Sequence, residues 1–332
     1  MSPVSRVLPK LEGVAETRNG WTAKCPAHDD HHPSLSIAEG DDGRVLLKCF
    51  AGCSTEDVCS ALGLESSELF PGSSHGEGRQ RDRRSQQTSP GPTFTPSLAA
   101  RVWSAARARA RDDDAVEDDR DVYSYLYSRG LAESSEESGF GILTKGMDLP
   151  GAVDWWAGQD YRLVAALYDL SGSVVNVQSR SIVPSNERKV LFPPGSKARG
   201  TAFVNRFGLE LLQGTWPGFR TVILAEGLTD HLALGIVAQV PVLTAPGTSM
   251  VASAAGPWAR GFEVFIATDG DDAGDRCVEA AAAALFENGA ECVYRLNWPN
   301  GCFDACDAIA ELGTVGLADW LEETLQIQGG SQ

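Results

Sequence analysis

Three carboxylates at the ends of two apolar runs are the residues of this chain best suited to chemistry. TVILAEGLTD (221–230) puts Glu226 directly after one run, and EVFIATDGDDAG (263–274) puts Asp269 and Asp271 just after another. Each run reads as a strand buried on both faces of a parallel sheet. Ligands of such sheets collect beyond the carboxyl ends of the strands, where all three acids emerge. Carboxylates gathered there repel one another unless a cation lies between them. An all-oxygen donor set selects Mg2+ or Mn2+, the ions of phosphoryl transfer. A plainer alternative makes Glu226 the cap of a helix starting near Leu228 and DGDDAGD a turn with an N-cap. The two stretches together and in this order favour the metal site.

A second set of ligand types lies near the N-terminus. CPAHDDHHPSLSIAEGDDGRVLLKCFAGC (25–53) spaces Cys25 and His28 as one close pair and Cys49 and Cys53 as another. Two such pairs separated by a loop suit one tetrahedral structural Zn2+, each pair on a tight knuckle. The segment between them alternates as a hairpin with a DDG turn. His31 and His32 compete with His28 as ligand; the short Cys25–His28 knuckle favours His28 and leaves the other two to the surface or to a nucleic acid. Cys59, in STEDVCSALGL, reads as core. Cys302 and Cys306 are close but lack a second pair, and Cys277 and Cys292 are isolated.

The elements that position these residues follow from composition and periodicity. The 332 residues suffice for two or three domains. Residues 1–70 form a compact zinc-binding unit, and 71–95, rich in Gly, Ser, Gln and Pro, read as a flexible linker. From 96 to 220 come a helix in RVWSAARARAR, an acidic break, a short helix ending at Gly130, and a hairpin over 161–182 turning near Leu170–Ser173. Residues 221–332 alternate strands near 221–225, 240–244, 263–268 and 291–296 with helices near 229–238, 249–258, 273–288 and 316–325. That is the pattern of a parallel four-stranded α/β sheet with flanking helices.

The chain carries 45 acidic against 28 basic side chains, a net charge of −17, which counts against tight coating of nucleic acid. The distribution qualifies this. Residues 221–332 hold 16 acids and 3 bases, whereas 151–220 hold 5 acids and 8 bases. A basic segment beside an acidic, metal-bearing edge suits a polyanion held for chemistry. No run of about 18 apolar residues is present to span a membrane, and MSPVSRVLPK lacks the apolar core of a signal peptide. The expected setting is cytoplasmic, a bacterial cell or the host cytoplasm of a phage, with cysteines as metal ligands or free thiols.

A Cys-His-Cys-Cys unit, a linker and an acidic α/β motif in this order resemble the bacterial-type DNA primases, in particular their phage and plasmid branch. Residues 221–312 look like the Toprim domain, with Glu226-Gly227 and Asp269-Gly270-Asp271 matching its two acidic elements. Phe303-Asp304-Ala305-Cys306-Asp307 looks like a third, usually Lys-Asp-Ala-Asn-Asp, which adds Asp304 and Asp307 to the implied Mg2+ or Mn2+ ligands. Upstream, RLVAALYDLSGSVVNVQSRSI and RKVLFPPGS look like the basic half of the primase core. There Arg180 and Lys189, joined by Lys197 and Arg199, are implied to bind nucleotide or template phosphates. The zinc unit, including His32-Pro33-Ser34, resembles the template-reading domain.

The resemblance implies an enzyme that makes short RNA primers from NTPs on single-stranded DNA. It would use one structural zinc and two catalytic Mg2+ or Mn2+ ions. No G-x-x-x-x-G-K-[ST] sequence occurs, so a replicative helicase would be a separate partner. Two alternatives use the same parts: a Toprim nuclease, and a zinc-and-Toprim recombination mediator that bridges DNA without chemistry.

Overall fold

The computed structural model describes residues 3–17, 20–27, 30, 33–40, 43–49, 53, 55–64, 66–71, 94–111, 118–131, 139–186 and 188–329. The chain divides into two compact units, Met1–Gln87 and Thr88–Gln332. The expected linker lies outside the described residues over 72–93, and so do His28, His31 and His32.

The first unit opens with helix α1 (Pro3–Val7). Four antiparallel strands follow in sheet order, β1 (Ala15–Thr17), β2 (Gly20–Ala23), β3 (Leu35–Glu39) and β4 (Val45–Cys49), then helix α2 (Thr55–Leu62). The expected hairpin is β3 with β4, pairing Leu35 with Cys49 and Glu39 with Val45. Alternate residues Leu35 and Ile37 are buried in one core with Val4, Val7, Val58, Cys59 and Leu62, as the two-residue period of a strand requires. At Gly20 (φ +141) a Cβ would fall 2.2 Å from the Ile37 carbonyl oxygen, so only glycine lets β2 approach β3 there.

The second unit begins with α3 (Pro96–Ala110) and α4 (Arg120–Ser128). Thr95 caps α3, its hydroxyl accepting from the Leu98 N–H at 3.4 Å, and Pro96 takes the first helical turn, where a missing N–H costs nothing. Ala99, Val102, Trp103 and Ala106 make its buried stripe. An antiparallel sheet follows in sequence order: β5 (Gly141–Ile142), β6 (Tyr161–Tyr168), β7 (Val174–Ser181) and β8 (Val190–Leu191). Asp169 closes the β6–β7 turn, its carboxylate accepting from the N–H groups of Ser171 (2.9 Å) and Ser173 (3.0 Å).

The α/β part is β9 (Phe203–Val204), α5 (Arg206–Leu212), β10 (Thr221–Glu226), α6 (Leu228–Val237), β11 (Val242–Ala245), α7 (Val251–Ala254), β12 (Glu263–Ala267), α8 (Asp272–Glu287), β13 (Cys292–Arg295) and α9 (Ala305–Gly329). Strand order is β13-β12-β10-β11-β9. The four expected parallel strands are present, and a fifth, β9, runs antiparallel on the edge beside β11. Asn205 pins that edge. Its side chain accepts from the N–H groups of Gly208 (2.7 Å) and Val242 (3.0 Å) and donates to the Val240 carbonyl (3.0 Å). The sheet is buried on both faces. Ile223, Ala225, Phe265 and Ala267 pack with α6 and α9, while their neighbours Val222, Leu224, Val264 and Ile266 pack with α7 and α8.

Two helices differ from expectation. The stretch 249–258 is three short turns rather than one helix, because Pro257 forces Gly256 into an extended conformation (φ −170°, ψ −172°). The last helix starts at Ala305, well before 316, and bends at Gly313 (φ +71). Among the described residues no helix is long and apolar enough to cross a membrane.

Candidate metal centres

In the second unit the acids collect where β10 and β12 end and α6 and α9 begin. Glu226 is the last residue of β10, and Asp269 and Asp271 follow β12. Asp230 lies in the first turn of α6, Asp304 stands just before α9 and Asp307 lies in its first turn. Carboxylate oxygens of Asp230, Asp269 and Asp304 all lie within 4.8 Å of one another. Glu226 and Asp271 border this trio, Glu226 raising the proton affinity of Asp230 and Asp271 that of Asp269.

Sequence reading passed over Asp230. Its signal was present: an acid in the first turn of the mostly apolar helix LTDHLALGIV, directly after the strand that ends in Glu226. The long-range N–H that turns it inward, from Cys306 to its carboxylate at 3.2 Å, spans 76 residues and has no local trace.

The loop after β12 is held at each peptide. The Thr268 carbonyl accepts from the Trp298 indole (3.0 Å), the Asp269 carbonyl from Arg295 (3.3 Å), and the Gly270 N–H donates to the Phe303 carbonyl (2.7 Å). Asp271 does act as a cap, accepting from the Gly274 N–H at 2.8 Å. Gly274 is required at its place, since a Cβ there would lie 2.1 Å from the Asp269 carbonyl oxygen. Glu226 is not a helix cap; that position is Gly227 (φ +81). Instead Oε1 of Glu226 accepts from the Thr248 hydroxyl at 2.8 Å, and Oε2 is buried without a hydrogen-bond partner, as is the Thr268 hydroxyl.

Electrostatics follow from the crowding. Burial, opposed by the Thr248 hydrogen bond and aided by the charges of Asp269 and Asp271, pushes Glu226 up to about 7. Burial and then Asp304 and Asp269 raise Asp230 well above the ordinary carboxylate range. Asp269 is raised by burial and by Asp304, Asp271 and Asp307, with Lys189 opposing. Asp304 is raised chiefly by burial, with Arg129 opposing. A buried acid oxygen with no partner and three converging carboxylates are what an oxygen-loving divalent cation would satisfy, so these residues fit Mg2+ or Mn2+.

Of the expected phosphate binders, Lys189 bears on Asp269 and Arg180 on Cys306. Arg180 donates to the Tyr125 hydroxyl at 2.7 Å, and Arg129 lies over the same ring, 5.4 Å from its centroid. Lys197 and Arg199 are exposed on the loop after β8 and are absent from the leading charges acting on the acids. Arg129, the C-cap of α4, opposes the rise at Asp304.

In the first unit the sulfurs of Cys25, Cys49 and Cys53 lie within 4.8 Å of one another. Asp30 shapes the first knuckle, its carboxylate accepting from the N–H groups of Cys25 (2.6 Å) and Ser34 (3.2 Å) and from the Ser34 hydroxyl (2.6 Å). Burial, with the Cys49 and Cys53 thiols behind it, pushes the Cys25 thiol up to about 12. Three converging cysteine sulfurs fit a soft or borderline cation such as zinc, which binds them as thiolates. Cys59 is buried in the core of this unit.

Residues 221–314 match the family model described as the Toprim domain. Among solved structures, the chain resembles the zinc-binding and RNA polymerase domains of the Aquifex aeolicus primase (20% identity, 97% of this chain and 83% of that one, TM-score 0.46). It also resembles the RNA polymerase domain of Mycobacterium tuberculosis primase (18%, 68% and 81%, 0.45). A third likeness is to the primase fragment of the bacteriophage T7 primase-helicase (20%, 59% and 73%, 0.41). No curated protein matches the sequence. The acids described above lie within the matched stretch, where its parallel strands end and the following helices begin.

Proposed function

We propose that the chain is a bacterial-type DNA primase, joining ribonucleotides into short RNA primers on single-stranded DNA. The observation that carries this reading is the converging carboxylate set of the Toprim-like stretch, with Lys189 and Arg129 bearing on it and Arg180 on the adjacent Cys306, in one chain with a cysteine cluster fit for zinc. Mg2+ or Mn2+, when bound, lowers the charge on a triphosphate and activates the attacking 3′-oxygen. Asp230, Asp269 and Asp304 would hold it, with Glu226 presenting Oε2 and Asp271 and Asp307 at the rim. Thr248 fixes the Glu226 carboxylate, and Trp298, Arg295 and Phe303 fix the loop bearing Asp269, so the acids need no rearrangement on binding. Arg129, Arg180 and Lys189 would hold triphosphate or template phosphates, since guanidinium forks match phosphate oxygens. Lys197 and Arg199 would meet phosphates farther along the strand.

In this reading residues 1–70 bind template through one zinc held by Cys25, His28, Cys49 and Cys53. Residues 71–95 are the tether, 96–220 the basic half of the core and 221–332 the catalytic half. A separate replicative helicase would be the partner. The same acids would also serve a nuclease. The test is incubation with single-stranded DNA, labelled NTPs and Mg2+ or Mn2+, beside a supercoiled plasmid. Short RNA products support the primase; nicking without RNA moves the assignment to a nuclease, and neither product moves it to a DNA-bridging mediator.

A further inference from the structure

Phe303 is a large apolar side chain left 61% exposed one residue before Asp304. Isolated exposed apolar residues are common and need no explanation. Phe303 differs from the others by how firmly and where it is held. Its carbonyl accepts from the Gly270 N–H at 2.7 Å, and its own N–H donates to the Asp307 carboxylate at 3.3 Å. Asp307 in turn donates its N–H to Asp304 at 2.6 Å. The ring lies near Gly270, between Asp269 and Asp271: a Cβ placed on that glycine would come within 3.8 Å of the ring atom Cδ1. Among the described residues, no other exposed large apolar side chain is tied by its backbone to the loop that carries these acids.

A flat apolar ring fixed beside a cation-binding acid cluster has one natural complement, a flat group carried on a phosphate. We propose that Phe303 is a stacking platform for a nucleobase whose phosphate is held at the acidic site. The base belongs either to the incoming nucleotide or to the template strand. This rests on the nucleotide-handling reading above. Phenylalanine offers no hydrogen-bonding group, so the contact gives affinity without choosing among bases.

Equilibrium binding to the full-length protein tests it, with Mg2+ and three probes: a non-hydrolysable NTP analogue, a short single-stranded oligodeoxynucleotide, and inorganic tripolyphosphate, which has charge but no base. Stacking of one base is worth roughly 1–3 kcal/mol, so Phe303→Ala and Phe303→Leu should weaken binding by about 5- to 150-fold. The loss should be similar for purines and pyrimidines, Phe303→Trp should bind at least as well as the wild type, and tripolyphosphate should be unaffected. Loss confined to the NTP analogue assigns the base to the incoming nucleotide; loss confined to the oligonucleotide assigns it to the template. Unchanged binding of both by Phe303→Ala and Phe303→Leu overturns the proposal, as does an equal loss for tripolyphosphate. Wild-type primer synthesis is scored separately. Primers made while Phe303→Ala binds normally remove the platform and leave the primase; a ring-dependent affinity without primers does the reverse.

Discussion

Two buried aspartates of the second unit, Asp119 and Asp230, are treated in opposite ways. Asp119 is 1% exposed and saturated with cations: Arg109 donates to it at 2.6 Å, Arg162 pairs with it and with Asp121, and the Thr144 hydroxyl adds a bond at 3.2 Å. Asp230 is 5% exposed and surrounded by further acids, Asp269 and Asp304, with one backbone N–H from Cys306 for support. The fold thus neutralises a buried carboxylate where neutrality serves stability. At the strand ends it leaves carboxylates uncompensated, and a buried charge without a partner is costly. The difference singles out the strand-end cluster as the place in the second unit that could hold a cation.

The largest effect should come from removing that cluster's members. Asp269→Ala or Glu226→Ala should cut primer synthesis by at least about 100-fold, the scale for losing one group that stabilises developing charge. Melting of the metal-free protein should hold or rise, because like-charge repulsion is relieved. Normal primer yield from either variant would remove it from the site.

Next in size is the paired region. Arg162→Ala removes one of the two arginines that hold Asp119, leaving Arg109 and Thr144, and should cost about 1.5–3 kcal/mol in a denaturant titration. Asp230→Asn, which removes a charge at the other region, should stabilise the metal-free protein. Equal signs for the two substitutions would dissolve the contrast.

The contrast also fixes a pH dependence. Glu226 rises from its ordinary 4.5 to about 7 in the folded chain, and Asp230, Asp269 and Asp304 are also raised. Acids raised by folding contribute stability that is full below their unfolded values and is lost as pH climbs through the folded ones. The metal-free protein should therefore lose stability from about pH 3.8, the ordinary value of the aspartates, to above 7, and Mg2+ should restore most at the upper end. Melting curves across that range with and without Mg2+ check it; a flat profile would mean the acids are compensated after all.

The smallest effects concern the basic residues. Arg180→Ala and Lys189→Ala should each lower the salt dependence of single-stranded DNA binding by roughly one unit of slope, and Lys197→Ala and Arg199→Ala by less, since those two stand apart from the acids. Anisotropy titrations at several salt concentrations would rank the four.

Much of this was legible because it is local in sequence. Glu226 and Asp269 follow apolar runs directly, and strand ends dictate where their side chains emerge. The cysteines sit on short spacings at the ends of a hairpin. What was not legible depends on distant partners. Asp230 joins the site only because α6 and α9 bring it to the Cys306 N–H. DDDAVEDDRD reads as an acidic break, yet its Asp119 pairs with an arginine 43 residues away. Strand β9 has two residues, too few for any period, and exists through Asn205 and its bonds to residues 240 and 242.

The central claim, that the uncompensated acids hold a divalent cation, is tested most directly by counting bound Mn2+. Electron paramagnetic resonance of free Mn2+ during titration of the full-length protein should show loss of signal with the wild type. The loss should be largely abolished in Asp269→Ala and Asp230→Asn and unchanged in Arg162→Lys, which keeps the opposite region charged. Equal Mn2+ uptake by wild type, Asp269→Ala and Asp230→Asn would contradict it.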